Sequence, residues 1–544
     1  MNRIIFCVWI IITLQATKTV SQTLPLGYPI LENYLRRSQL TDDLDSTISF
    51  TVKPLHLNAH SDSLLEKCQS LLGKIILSNS TNSCQLKVLP IQFNTEFNSH
   101  HPYGWNNGSL IRARGIQGLF SPGLFARLGP LTVQLRPEFM WAQNLEFNGF
   151  PDEHSNEVWR ARYRFTWNRI DSPEHYGSQN QTNILPGQSS IRLNYKGFSL
   201  GVSTENLWWG PGQNHSLIMT NNARGFQHIT FNTIRPIKTP IGTFEGQMIV
   251  GKLENLSYNS PEPERVINSA WSREKKEEWR YINGLTITYS PKWIPGLFLG
   301  ASRVTQNYND STKIKNDYLP VFTNLFREND QDTQQDGSKD QILSFFIRWV
   351  WPAAKAEIYA EVGRSDASWN FRDLLMSPEH SMAYMFGFKK MIELSRRDQF
   401  IEIGFEVVHL ELSKTGTLRA EPTWYLNGRA RQGYTHRGEI LGTGIGPGSN
   451  LQSLRLSWVK KLKSIGIQVE RLVNDNDFYY RAFGANDDGQ NWVDLSFGIN
   501  GSWCWDRIVL DGEIQFVTSK NYQWESGMQV RNIHSSIRLA YLFK

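Results

Sequence analysis

From about residue 86 to the C-terminus, apolar and polar residues alternate in short runs that recur many times. Period-two alternation places one set of side chains on each face of an extended strand. The clearest run is Trp159, Ala161, Tyr163, Phe165 and Trp167, interleaved with Arg160, Arg162, Arg164, Thr166 and Asn168. It predicts a strand with one purely apolar, aromatic face and one cationic face. Ile401, Ile403, Phe405 and Val407 alternate with Glu402, Gly404 and Glu406, and Val493, Leu495, Phe497 and Ile499 alternate with Asp494, Ser496, Gly498 and Asn500. The last run carries Ile533, Ile537, Leu539, Tyr541 and Phe543 on one face and His534, Ser536 and Arg538 on the other. Strands of roughly nine residues are long enough to cross a bilayer at a tilt. Tryptophans at the two ends of an apolar face belong at membrane interfaces. Unpaired edges are not tolerated in lipid, so such a sheet must close into a barrel. Roughly 450 residues at roughly 25 per strand and connection give about 16–20 strands.

Composition agrees with this class. A mean hydropathy of −0.42 excludes a bundle of transmembrane helices, although aromatic residues make up 12% of the chain. A lipid-facing band, a polar interior and long wet loops average to such values. The net charge of +6 is too small for a nucleic-acid-binding field. Residues 1–21 read as an export signal, with Arg3 ahead of an apolar run too short to span a bilayer. Its removal takes Cys7 away and leaves Cys68, Cys84 and Cys504. Cys68 and Cys84 are close enough in sequence to pair in an oxidising compartment or to remain thiols. Residues 22–85 hold two stretches of helical periodicity. One has Leu31, Tyr34 and Leu35, the other Leu64, Leu65, Cys68, Leu71 and Leu72. They predict a small periplasmic helical segment before a barrel over 86–544 with long extracellular loops.

A search for chemistry returns little. Metalloprotease, nucleophile-elbow and P-loop motifs are absent. The glycine-rich stretch at 442–448 lacks the following Lys-Ser/Thr of a phosphate cradle. The expectation is therefore no enzyme, no cofactor and no metal. The row Arg160, Arg162 and Arg164 is costly unless it faces water or acids. Either it lines the lumen and pairs with Glu357, Glu361, Glu402 and Glu406, or it contacts an anionic glycan.

One segment is far more specific: Leu207-Trp208-Trp209-Gly210-Pro211-Gly212-Gln213-Asn214-His215-Ser216, continuing to Asn221-Asn222-Ala223. It strongly resembles the signature of the capsule-assembly Wzi family. Pro102-Tyr103-Gly104-Trp105, Asn168-Arg169-Ile170-Asp171-Ser172-Pro173 and Tyr434-Thr435-His436-Arg437-Gly438-Glu439 support the resemblance, the last in a form like that of Bacteroidetes members. The resemblance implies an 18-stranded transmembrane antiparallel β-barrel in the outer membrane of a Gram-negative bacterium, with a helical element at its periplasmic end. It implies lectin-like attachment or organisation of capsular polysaccharide. Trp208, Trp209, Asn221, Asn222 and Arg224 are then candidates for glycan contact, because aromatic faces stack on sugar rings and amide or guanidinium groups bond hydroxyls and carboxylates. The alternative for the same residues is a structural corner, with Gly210-Pro211-Gly212 setting a turn. The competing functions are a passive porin and a structural subunit of a larger outer-membrane secretion or uptake complex. Surface polysaccharide, membrane lipid and other proteins are the partners in view.

Overall fold

The computed structural model describes residues 22–44, 47–56, 69–80, 83–256, 271–311, 340–365, 381–395, 398–413, 423–484 and 489–543. The signal segment, Cys68 and the stretch with Leu64 and Leu65 lie outside them. Among the described residues, eighteen antiparallel strand positions close into one barrel, from Cys84–Asn98 to Gln529–Tyr541, which pair with each other.

The distribution of side chains is inverted relative to a water-soluble protein. In Gln529–Tyr541, Ile533 is 43% exposed while His534 is 2% exposed. In Ser190–Tyr195, Ile191 is 54% exposed and Arg192 is 1% exposed. Apolar residues face outward and polar residues inward on strand after strand, as a lipid-embedded wall requires. Three strand positions are broken in two, and a proline sits at or beside each break. The gaps follow Leu131–Leu135, Gln181–Leu185 and His228–Thr233, at Pro137, Pro186 and Pro236. Proline has no N–H to give the ladder.

The closing position is shared by two segments. Gln529–Tyr541 pairs with residues 91–98 of Cys84–Asn98, and the short strand Lys74–Ser78 pairs with residues 85–88 of the same strand. The second expected helix therefore differs from the structure over its final residues. Gln69–Leu72 forms one 3-10 turn, and the β-branched run at Ile75 and Ile76 extends into Lys74–Ser78.

Short turns gather at one end of the barrel, at 129–130, 196–197, 461–462 and 505–507. Long connections gather at the other, including 143–180, 204–227 and 474–492. The long-loop end is extracellular and the short-turn end periplasmic in this class of barrel.

The interior holds the N-terminal segment beside a polar cavity of about 200 Å³ lined by Glu406, Arg455, Glu470, Glu513 and Arg538. Helix α1 (Pro29–Leu40) lies inside the wall, and its Arg36 donates to Glu357 Oε1 at 2.8 Å and to the Pro211 carbonyl at 2.8 Å. Arg348 meets the other oxygen of Glu357, with Nε 2.8 Å from Oε2. Glu402 faces Lys389 at 3.3 Å and Arg37 at 3.9 Å.

The run at 159–167 is not a strand, which corrects the expected lumen row. Asn156–Phe165 is a helix, α2. Ser155 caps it by accepting from the Val158 N–H at 3.4 Å, Glu157 lies in its first turn, and Arg162 and Arg164 lie in its last. Trp159 and Tyr163 stack one turn apart with centroids 6.4 Å apart. Over so few residues the 3.6-residue repeat also gathers Trp159, Arg162 and Tyr163 on one buried side, and tertiary packing decides between the two periods. Arg160 and Arg164 project outward, while Arg162 is buried. The glutamates assigned to that row find other partners: Arg36, Arg37, Arg348 and Lys389 for Glu357 and Glu402, and loop N–H groups for Glu361 and Glu406.

Candidate functional site

Two assemblies draw on the residues singled out above. The first is the Trp-Trp-Gly-Pro-Gly segment, which folds into the barrel. Trp208–Trp209 pairs antiparallel with Val52–Lys53 of the N-terminal segment. The Lys53 ammonium lies 4.5 Å from the centre of the Trp208 ring. Trp209 is fully buried and donates from Nε1 to Gln247 Oε1 at 2.9 Å. Gly210 has φ +133° and Gly212 packs so tightly that a Cβ there would lie 1.8 Å from the His215 carbonyl. The following turn presents its Ser216 hydroxyl and Leu217 N–H to Glu361 Oε2 at 3.0 and 3.1 Å. Asn221 donates to the Asn106 carbonyl at 2.8 Å and accepts from Asn206, and Asn222 donates to the Ile440 carbonyl at 2.9 Å. Trp209, Asn221 and Asn222 are thus buried and hydrogen-bonded within the chain, Trp208 is buried with its Nε1 unpartnered among the described residues, and Arg224 is half-buried near Tyr176 and Glu439. This geometry ties the N-terminal segment, the inner wall and the loops together.

The second assembly lies at the extracellular end. Helix α2 packs against α3 (Asn476–Phe483), with Phe150, Trp159, Tyr163, Phe478, Tyr479 and Trp524 in their common core. Arg162 sits at its centre. Its guanidinium carbon lies 5.0–5.2 Å from the ring centres of Phe150, Trp167, Phe478 and Trp524. It also pairs with Glu174 at 3.3 Å and with Asp475 at 3.7 Å. A buried arginine surrounded by ring faces and two carboxylates is a rigid anchor rather than a free charge. Asp475 caps α3 by accepting from the Phe478 N–H at 3.1 Å. Asp477 accepts from the Leu412 N–H and the Thr423 hydroxyl at 2.9 and 2.7 Å. Burial pushes Asp475 up to about 6 and Asp477 up to about 7.

Beside this anchor is a cleft of about 180 Å³. Phe147, Trp167, Trp492, Tyr522 and Trp524 give it aromatic walls, with Arg162, Glu174 and Asp475 on the polar side. Three buried polar atoms of its lining, His101 Nε2, Gln523 Oε1 and Trp524 Nε1, have no hydrogen-bond partner among the described residues. Backbone strain is concentrated here too. Asn521, Gln523 and Trp524 all have φ between 49° and 59°, and such conformations cost of order 1–3 kcal/mol each and cluster at ligand sites. Aromatic walls, unsatisfied donors and acceptors, and strained loops together suit a polar ligand that has flat apolar faces.

Arg162 enters this cleft from a helix rather than from a lumen strand. Trp492, Tyr522 and Trp524 were missed in the sequence. The signal for them was aromatic residues placed between alternating runs, where membrane insertion does not require them. Cys84 is an exposed thiol at the start of the first barrel strand, and its candidate partner Cys68 lies outside the described residues.

The sequence matches the family described as capsule assembly protein Wzi over residues 121–529. No curated relative matches it. Among solved structures, the chain is similar to Wzi of Escherichia coli, described as an outer-membrane protein involved in group 1 capsule assembly and a carbohydrate-binding β-barrel. The identity is 12%, the TM-score 0.61, and the coverage 96% of this chain and 100% of that one. OccAB2 of Acinetobacter baumannii is also matched, at 12% identity and a TM-score of 0.41 over 84% of this chain and 98% of that one.

Proposed function

This chain belongs to the Wzi capsule-assembly family, and from that premise we propose that it is a non-enzymatic, lectin-like barrel that binds surface polysaccharide in its extracellular cleft. It is an outer-membrane β-barrel of a Gram-negative bacterium. The observation that carries the reading is the cleft itself. Trp167 and Trp492 offer ring faces, and Gln523 Oε1 and Trp524 Nε1 offer buried polar atoms that sugar hydroxyls would satisfy. The Escherichia coli protein of like fold is described as carbohydrate-binding. The inward-folded Trp-Trp-Gly-Pro-Gly segment and α1 support a scaffold in which a closed barrel holds rigid loops at the cell surface.

The test is binding of purified capsular polysaccharide from the source strain to the detergent-solubilised barrel. Trp167→Ala and Trp492→Ala each remove a stacking face. Each is expected to cost about 1 kcal/mol, or about fivefold in Kd. Binding that neither substitution alters would sink the cleft as the site. Cells lacking the gene that keep a normal capsule would sink the functional reading as a whole.

A further inference from the structure

At the end of the barrel opposite the cleft, the turn at 461–462 joins the strands Asn450–Lys460 and Lys463–Val473. The ladder sets Lys460 directly opposite Lys463. Both side chains lie on the lipid face. They continue the outward rows of Leu454 and Leu456 on one strand and of Ile465 and Ile467 on the other, all at least 43% exposed. Like charges directly opposite one another destabilise a strand pair. Lys461 in the turn reaches Asp398 at 3.9 Å, but among the described residues neither Lys460 nor Lys463 has a carboxylate partner. The Lys463 ammonium lies 4.3 Å from the centre of the Trp503 ring, and Trp505 and Arg507 stand exposed in the next turn. Across the two turns, Lys460, Lys461, Lys463 and Arg507 are accompanied by one acid, Asp506.

One row nearer the middle of the membrane, the same face is indented. The register runs Ile465, Gly501, Gly512 and Ile537 across four adjacent strands, so two glycines lie opposite each other between exposed isoleucines. Ile499 and Ile514 close the indentation toward the membrane centre, and Trp503 and Leu510 close it toward the periplasm. A Cβ on Gly501 or Gly512 would meet no atom closer than 3.2 Å, so the space over them is open. An apolar dimple therefore adjoins two lysines and a tryptophan at the membrane boundary, where aromatic side chains meet headgroups. A phospholipid has the same layout, with acyl chains beginning just beyond its phosphate. The lysines select among headgroups. An anionic headgroup brings charge of the opposite sign, whereas a zwitterionic one brings its own cation, which the lysines repel.

We propose that Lys460, Lys463 and Trp503 bind the headgroup of an anionic phospholipid of the periplasmic leaflet, with the start of its acyl chains seated over Gly501 and Gly512. The phosphate lies between the two ammonium groups and removes their mutual repulsion, and the Trp503 ring holds Lys463 in place for it. The site is independent of what the extracellular cleft binds.

The experiment titrates the detergent-solubilised full-length barrel with phosphatidylglycerol or phosphatidylcholine of matched acyl chains and reads bound lipid by native mass spectrometry. The variants are Lys460→Gln/Lys463→Gln, Lys463→Gln alone and, as a control on the periplasmic turn at 196–197, Lys196→Gln. Folding is checked by heat-modifiable migration on gels. The native barrel is expected to bind its first phosphatidylglycerol at least tenfold more tightly than its first phosphatidylcholine, because each lysine at a membrane surface contributes about fivefold toward an anionic lipid. The double variant is expected to lose that preference and Lys196→Gln to keep it. Lys463→Gln alone is expected to reduce it about fivefold, and it decides the matter should the double variant not fold. Equal binding of the two lipids to the native barrel overturns the proposal, as does a preference that survives removal of the lysines. An equal loss in Lys196→Gln overturns it too, because the lipid would then be held by the charge of the whole rim. Competition by glycerol 3-phosphate as effective as that by the lipid also overturns it, because the occupant would then be a soluble phosphate.

Discussion

Glu357 is the point at which the N-terminal helix is tied to the wall, and its removal has a calculable effect. Its two oxygens face two guanidinium groups, Arg36 Nε at 2.8 Å and Arg348 Nε at 2.8 Å, and all three side chains are at most 1% exposed. Glu357→Ala leaves both cations buried without an anion. Removing one partner of a buried pair costs about 3–5 kcal/mol. Here the cost falls near the lower end, about 3 kcal/mol. Arg36 keeps the Pro211 carbonyl, and Arg348 keeps Gln39 Oε1 and the Ser49 carbonyl. Arg36→Ala costs a similar amount, because Glu357 retains Arg348 but α1 loses its contact with Pro211 and its stacking 5.0 Å from Tyr359. Once Glu357 is gone, Arg36 is no longer paired, so removing it as well costs less. The double variant is therefore less destabilised than the sum of the singles by about 1–2 kcal/mol. The assay is urea unfolding in phospholipid vesicles, followed by tryptophan fluorescence, for the two single variants and the double. Effects that add to within about 0.5 kcal/mol would refute the shared ion triad as the tie between α1 and the barrel.

Two further outcomes follow from the same structure. Helix α1, tied to the inner wall through Arg36, predicts no steady current across planar bilayers, and a stable porin-sized conductance of the native chain would restore the passive-porin reading. The extracellular helices have a definite pH response. Asp475 and Asp477 are raised to about 6 and about 7 from an ordinary value of 3.8. The folded chain therefore binds protons that the unfolded chain releases, and stability falls as pH rises through the interval from about 4 to about 7. Near-ultraviolet circular dichroism melts of the aromatic cluster are expected at higher temperature at pH 5 than at pH 8, with Asp477→Asn flattening the difference. A melt higher at pH 8 would contradict the sign.

The barrel was legible because membrane insertion imposes a rule on every strand. Each residue faces either lipid or the interior, so alternation such as that of Ile533 to Tyr541 carries the fold directly. Strand number and localisation followed from the length of the alternating region and from the Trp-Trp-Gly-Pro-Gly resemblance. The same alternation misled at 159–167, where a ten-residue helix satisfies both periods and only its packing against α3 separates them. Which charges meet was not legible either. Arg36 and Glu357 are 321 residues apart, and an ion pair leaves no trace in sequence spacing when closure of a barrel brings its members together. The tryptophan motif was conspicuous by composition, yet its tight glycines turn it into the lumen, where Trp209 has no exposed surface. The cleft needed Arg162, Glu174, Asp475, Trp492 and Trp524 from separate loops. Strand alternation is a local constraint that every residue must obey, whereas a site at the barrel mouth exists only where loops far apart in the chain converge, and that convergence is set by the three-dimensional packing alone.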